Sequence, residues 1–152
     1  MAKIVEFLTV NVAVKDLDGA VKRYADMGLT PLRPNRMPDP PAQITDVTVP
    51  LGAAGSISLI SPTDDRSPVA PFLAKRGEGM YSVAVRVDDL AGAMREWTHL
   101  DWVLPEPAVF PEGTPACHLL PDRLLANWVK PRSLNGVMLE VFELQGEIRE
   151  FK

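Results

Sequence analysis

The chain carries one pattern twice, first as Thr9-Val10-Asn11-Val12-Ala13-Val14-Lys15-Asp16-Leu17 and again as Ser82-Val83-Ala84-Val85-Arg86-Val87-Asp88-Asp89-Leu90. In both copies a run with alternating valines, typical of a strand, passes into apolar residues spaced three and four apart, typical of a helix. The match continues through Gly19 and Gly92 to Tyr24 and Trp97. The repeat therefore predicts a duplicated structural unit.

Signals at the ends of these segments set the predicted boundaries. Asp16 is a good helix N-cap and Gly28 a plausible helix stop, and the second helix is predicted over Asp89–His99. The proline-rich stretch after the first helix predicts an irregular edge or loop. Further strands are predicted over Ile44–Val49, Ser56–Ile60, Leu125–Val129 and Val137–Phe142.

Each half is therefore predicted as a β-α-β-β-β module. The first module covers residues 5–63 and the second residues 80–146, with a linking segment over 64–79. Ser67, Pro68 and Gly77 predict a short helix in that segment. We expect a single α+β domain over 1–152, in which the two modules form, by pseudo-two-fold repeat, a curved sheet that encloses a cavity.

Composition limits the possible partners. The chain has 152 residues, a net charge of −4 and a pI near 5.2, so it lacks the basic excess of a nucleic-acid-binding protein. Cys117 is the single cysteine, which excludes an intramolecular disulfide and favours a reducing compartment. No stretch approaches the roughly 20 apolar residues of a membrane span. We expect a cytoplasmic protein with no nucleic-acid or membrane partner.

Strand alternation divides the side chains between two faces. The valines of both copies are predicted to lie under the helices, and the intervening residues to face the cavity. The predicted cavity-facing residues are Thr9, Asn11, Ser58, Ser82, Arg86, Met138, Glu140 and Phe142.

The chain resembles the glyoxalase–bleomycin-resistance–extradiol-dioxygenase superfamily, also called the vicinal oxygen chelate proteins, and within it the methylmalonyl-CoA epimerase branch. The resemblance rests on four stretches and covers most of the chain. They are residues 12–17 (VAVKDL), 67–79 (SPVAPFLAKRGEG), 87–89 (VDD) and 131–140 (PRSLNGVMLE).

The resemblance implies a divalent metal bound by one residue on each of four cavity-facing strands, usually two histidines, a Gln or Glu, and a closing Glu. The corresponding positions here are Thr9, Ser58, Ser82 and Glu140. Hydroxyl groups are poor ligands for a divalent transition metal, so we expect no metal and no other cofactor. The second acid of the family epimerase, expected near Pro40–Gln43, has no aligned carboxylate, although Asp39 and Asp46 flank that stretch.

Three groups of residues carry the predicted chemistry. Glu140 is a general base in one interpretation and, in the other, a relic that is solvated or paired with Arg86. Arg86 would clamp a substrate carboxylate or thioester oxygen, or else reach solvent. A polar wall is formed by Thr9, Asn11, Ser58 and Ser82. This polar wall would hydrogen-bond a ligand carbonyl or hydroxyl, or else hold only water.

Other conspicuous residues fit structural roles better. Tyr81 points away from Ser82 by alternation, which favours packing. His99 lies at a predicted helix end and His118 in a loop, and neither occupies a family ligand position. Cys117 and His118 are sequence neighbours that would point to opposite sides of a strand, which argues against a nucleophilic pair.

The predicted function is therefore a metal-independent isomerase, epimerase or lyase that transfers a proton next to a carbonyl. Its ligand would be a small oxygenated organic acid or an acyl-CoA thioester, and the resemblance implies a homodimer. One alternative is a non-catalytic binding protein that relies on Phe142, Met138, Trp128 and Trp102. Another is a metal-dependent epimerase with unexpected ligands such as His118.

Overall fold

The computed structural model describes residues 1–152 and contains the predicted β-α-β-β-β order twice. The first half consists of β1 (Ile4–Ala13), α1 (Leu17–Ala25), β2 (Asn35–Met37), β3 (Ile44–Leu51) and β4 (Gly55–Pro62). After α2 (Val69–Arg76), the second half consists of β5 (Gly79–Val87), α3 (Leu90–Glu96), β6 (Ala108–Val109), β7 (Leu119–Val129) and β8 (Leu139–Glu150). The α+β class is confirmed. No helix of the chain is long and apolar enough to cross a membrane.

The helices are shorter than predicted and the last strands longer. Helix α1 ends at Ala25 because the Gly28 N–H donates back to the Ala25 carbonyl, with Gly28 at φ +85°. Helix α3 ends at Glu96, not His99, because the backbone of Trp97 leaves the helical region. The predicted strand Leu125–Val129 begins at Leu119, and the closing strand extends to Glu150.

Two compact units make up the chain. Unit 1 consists of Met1–Thr9 with Ser82–Phe151, and unit 2 of Val10–Tyr81 with Lys152. Strands β1 and β5 therefore each contribute residues to both units, so these units do not coincide with the modules proposed from the sequence repeat.

In unit 2 the strand order is β2-β3-β4-β1. The last residues of β1 pair in parallel with Ile57–Ile60, and β4, β3 and β2 follow as antiparallel neighbours. Helix α1 covers one face, where Val12 and Val14 pack with Leu17 and Val21. Helix α2 packs on Ala13 and Ile60 through Val69 and Leu73.

In unit 1, β5 pairs in parallel with β8, which continues through antiparallel β7 to β6. Val83, Val85 and Val87 pack on the side of α3 with Leu90, as the alternation predicts. The opposite face is filled by a cluster that includes Ala84, Leu124, Ala126, Phe142 and Leu144.

Two residues beside the predicted polar wall depart from the simple alternation. Leu8 joins the cluster of Ala84 and Phe142, although it shares its parity with the valines of β1. Tyr81 packs with Ala13 and Ile60 and meets the ring of Phe72 edge-on at 5.1 Å. The packing role predicted for Tyr81 is confirmed.

The repeated glycines have a physical explanation at the helix starts. The carboxylate of Asp16 accepts the Gly19 N–H at 3.1 Å, and that of Asp89 accepts the Gly92 N–H at 2.9 Å. A Cβ on either glycine would collide with the capping carboxylate. The two copies therefore use the same N-cap, in which the aspartate needs a glycine three residues later.

Candidate active site

Glu140 lies on β8 between two register partners of unit 1, Ala84 on β5 and Trp128 on β7. Its side chain is half-buried. The indole N–H of Trp128 donates to Glu140 Oε2 at 2.8 Å. A hydrogen bond to a carboxylate is short and directional, so this contact helps to orient the Glu140 side chain.

Trp128 is itself held by its sequence neighbour. Asn127 is fully buried, and its Oδ1 accepts the backbone N–H groups of Trp128 (2.8 Å) and Leu104 (3.0 Å). Asn127 Nδ2 donates to the Leu104 carbonyl at 3.0 Å. The ring of Phe110 packs against that of Trp128 with centroids 6.5 Å apart. Sequence reasoning assigned Trp128 only to the binding alternative and missed its contact with Glu140.

The other predicted residues of unit 1 lie in different surroundings. The hydroxyl residues Thr9 and Ser82 are buried, at 1% and 6% exposure. Met138 is half-buried just before β8, and its carbonyl accepts the Val83 N–H at 3.0 Å. Phe142 belongs to the buried apolar cluster, so its ring has a packing role in the fold.

Arg86 pairs with Glu6 through an Nη1–Oε1 contact of 3.3 Å. The expected alternative, an ion pair between Arg86 and Glu140, is therefore wrong; Glu140 instead accepts from Trp128. Glu6 lies 80 positions before Arg86, so sequence alternation gave no signal for this partner. The pair lines an open cleft of about 510 Å³ in unit 1, together with Val5, Val87, Asp88 and Leu144.

In unit 2 the predicted polar wall gains a member. Strand register places Asn11 beside Ser58 and Ser58 beside Thr48. All three are buried, and the hydroxyls of Thr48 and Ser58 lie 3.2 Å apart. Thr48 was not predicted, although its place two residues after Asp46 on β3 is readable from alternation.

Asp46 on β3 is a half-buried carboxyl of unit 2. Its Oδ2 accepts one hydrogen bond, from Asn35 Nδ2 at 3.2 Å. Burial raises the pKa of the Asp46 carboxyl from its usual 3.8 to about 7, against a smaller lowering by the Asn35 hydrogen bond. A carboxyl with this pKa exchanges a proton near neutrality, which is unusual for aspartate.

At the four positions that the resemblance assigns to metal ligands, the donors do not fit a divalent transition metal. They offer three hydroxyls and the carboxylate of Glu140. Nowhere in residues 1–152 do three or more His, Cys, Asp or Glu side chains form a group that could hold a metal ion. His118, the proposed unexpected ligand, is exposed and belongs to no such group.

Comparisons with known proteins identify the family of this chain. The sequence profile of the Glyoxalase/Bleomycin resistance protein/Dioxygenase superfamily matches residues 9–117. No curated protein gives a significant match.

Solved structures provide the closer comparison. Methylmalonyl-CoA epimerase from Mycobacterium tuberculosis is 26% identical, with a TM-score of 0.77 over 94% of this chain and 90% of that one. A Streptomyces coelicolor methylmalonyl-CoA epimerase variant in complex with 2-nitronate-propionyl-CoA is 20% identical, with a TM-score of 0.75 over 95% and 100%. A hypothetical protein from Bacillus halodurans is 22% identical, with a TM-score of 0.76 over 96% of each chain. The chain belongs to the glyoxalase/bleomycin resistance protein/dioxygenase superfamily.

Proposed function

We propose that the chain is an epimerase or isomerase that moves a proton at a carbon next to a carbonyl, and that it does so without a divalent metal. The observation that carries the proposal is the half-buried carboxylate of Glu140, oriented by the Trp128 N–H at 2.8 Å. The similarity to methylmalonyl-CoA epimerases supports an acyl-CoA thioester as the ligand. A small oxygenated organic acid is a simpler ligand that would undergo the same reaction.

In the proposed reaction the Glu140 carboxylate removes the proton from the carbon next to the thioester carbonyl. The electron pair of the broken C–H bond moves to the carbonyl oxygen and gives an enolate. Inversion follows when water delivers a proton to the opposite face and Glu140 releases the abstracted proton to solvent. Exchange without inversion follows when Glu140 exchanges its proton with solvent and returns one to the same face. A base that is already oriented avoids the cost of ordering it during the reaction.

The enolate oxygen needs hydrogen-bond donors if no metal stabilises it. The buried hydroxyls of Thr9 and Ser82 are proposed donors in unit 1. Asn11 and Ser58 remain predicted ligand contacts of unit 2, and Arg86, Met138 and Phe142 remain predicted contacts of unit 1. We also propose a cytoplasmic homodimer, as the resemblance implies; unit 1 exposes Ile4, Val5 and Phe7, which would gain buried surface on pairing.

Metal independence is proposed from the donor chemistry. Replacement of imidazole and carboxylate ligands by hydroxyls removes most of the affinity that a divalent transition metal needs. Treatment with EDTA should therefore leave both the activity and the unfolding midpoint unchanged, because a specific metal would otherwise stabilise the folded state by mass action.

The test starts from one stereoisomer of methylmalonyl-CoA and follows the other isomer by chiral chromatography. Glu140→Gln keeps the side-chain shape but removes the base, so turnover should fall by about 10²–10⁴-fold with little change in affinity. Glu147→Gln, an exposed residue on the same strand, is the matched control and should behave as wild type. A change of affinity alone in Glu140→Gln, with no turnover by any variant, would instead support a binding protein. Activity lost with EDTA and restored by a divalent ion would support the metal-dependent alternative.

A further inference from the structure

Asp46 lies on β3 between register partners that carry no charge. Its register partners are Ile60 on β4 and Asn35 on the edge strand β2. Alternation along β3 places Ile44 and Thr48 on the same face. The only hydrogen bond to the carboxyl is the one from the Asn35 amide.

Charged groups of the neighbouring elements lie elsewhere. On β2, Arg36 is exposed and alternates to the face opposite Asn35. Helix α2 packs on this side of unit 2 through the apolar residues Val69 and Leu73, and its charges, Lys75 and Arg76, are exposed in the last turn. No cation is paired with Asp46, so only the Asn35 hydrogen bond offsets the cost of burying its negative charge.

The next residues along this face are polar and closely spaced. Thr48 follows Asp46 on β3 and shares its face, with its hydroxyl 3.2 Å from that of Ser58. Asn11 is the register partner of Ser58 on the other side. The Asp46 carboxyl therefore continues a row of buried hydroxyl and amide groups, all within unit 2.

We propose that Asp46, as a neutral carboxylic acid, donates a hydrogen bond to the carbonyl oxygen of an acyl ligand on this face of unit 2. This inference rests on the proposed acyl-CoA ligand. A carboxylic acid held neutral at working pH is a strong donor to an oxyanion, because it carries the proton without adding a negative charge. Asp46 would thus supply stabilisation of developing oxygen charge that hydroxyls alone provide less well.

The test is the pH dependence of binding of 2-nitronate-propionyl-CoA, an anionic enolate analogue, measured by isothermal titration calorimetry between about pH 6 and about pH 9. Wild-type affinity should fall by about tenfold for each pH unit above about 7, because the ionised Asp46 loses its donor and repels the anion. Asp46→Asn keeps an N–H donor and should lose this fall. Asp39→Asn removes an exposed carboxylate nearby in sequence and should follow wild type.

The outcomes separate this role from the proposed function. Ionisation of the ligand itself affects all three proteins equally, so only the difference between wild type and Asp46→Asn is interpreted. The same pH dependence in both would overturn the role of Asp46 and leave the proposed function standing. No binding by any variant at any pH would overturn both. Carbon-13 titration of the wild-type carboxyl gives an independent check, and a midpoint near 4 would also overturn the role.

Discussion

Glu140 in unit 1 and Asp46 in unit 2 are both half-buried carboxyls on strands, and they have different hydrogen-bond donors. Glu140 in unit 1 receives the indole N–H of Trp128 at 2.8 Å. Asp46 in unit 2 receives only an amide N–H at 3.2 Å, and burial holds its pKa at about 7. We propose the role of base for Glu140 and the role of acid for Asp46, since burial raises the pKa of Asp46.

The largest effect should come from removing the buried charge of Asp46. Its folded-state pKa of about 7 lies above the usual 3.8, so folding favours the protonated form. The stability contributed by this group is fully present below about pH 4 and is lost as the pH rises to about 7. Asp46→Asn should thus gain on the order of 2–4 kcal/mol over wild type between pH 4 and pH 8, as measured by urea unfolding at both pH values. An equal difference at the two pH values would mean that Asp46 ionises normally.

A smaller effect should follow from loss of the donor to Glu140. Trp128→Phe keeps the aromatic ring but removes the N–H, a hydrogen bond to a charged group worth about 1.5–3 kcal/mol. Turnover should fall about 10- to 100-fold with KM unchanged, because Glu140 loses its orientation while the ligand contacts remain.

The chain provides a matched control for this change. The indole N–H of Trp102 is buried without a partner, and its ring stacks on Trp97 with centroids 6.3 Å apart. Trp102→Phe removes the same atoms without breaking a hydrogen bond, so turnover should stay at the wild-type level. Equal losses in the two variants would assign Trp128 a packing role only.

The smallest effect concerns the helix N-cap that the two sequence copies share. A Gly→Ala change inside a helix usually stabilises a protein by about 0.5–1 kcal/mol. Gly19→Ala and Gly92→Ala should each do the opposite, by about 1 kcal/mol, because the new Cβ would displace the capping carboxylate of Asp16 or Asp89. Thermal unfolding of the two variants measures this directly, and stabilisation in either would contradict the cap geometry.

Much of the fold was readable from the sequence because it depends on local patterns. The valines mark the helix-facing side of β1 and β5, and Asp16 and Asp89 mark the helix starts. The strand extensions beyond Phe142 and before Leu125 were missed because β7 and β8 stabilise each other there through long antiparallel pairing, which leaves little local signal.

The candidate site was harder to predict because its contacts are distant in sequence. Alternation placed Glu140 on the correct strand but gave no partner, and Trp128 is its neighbour only through the pairing of β7 with β8. Arg86 likewise finds Glu6 across strands. The hydrogen bond to the Asp46 carboxyl comes from Asn35. Asn35 lies in a proline-rich stretch that was predicted as an edge or loop and is observed as the short strand β2.

Hydrogen exchange at the carbon next to the thioester carbonyl tests the division between the two carboxyls most directly. EDTA-treated protein is incubated with methylmalonyl-CoA or propionyl-CoA in deuterated water, and deuterium incorporation is followed by mass spectrometry. We expect wild type to exchange the hydrogen, Glu140→Gln to be slower by about 10²–10⁴-fold, and Asp46→Asn to remain active while losing the decline of rate above about pH 7. Exchange that persists undiminished in Glu140→Gln and disappears in Asp46→Asn would contradict the account, because it would make Asp46 the base.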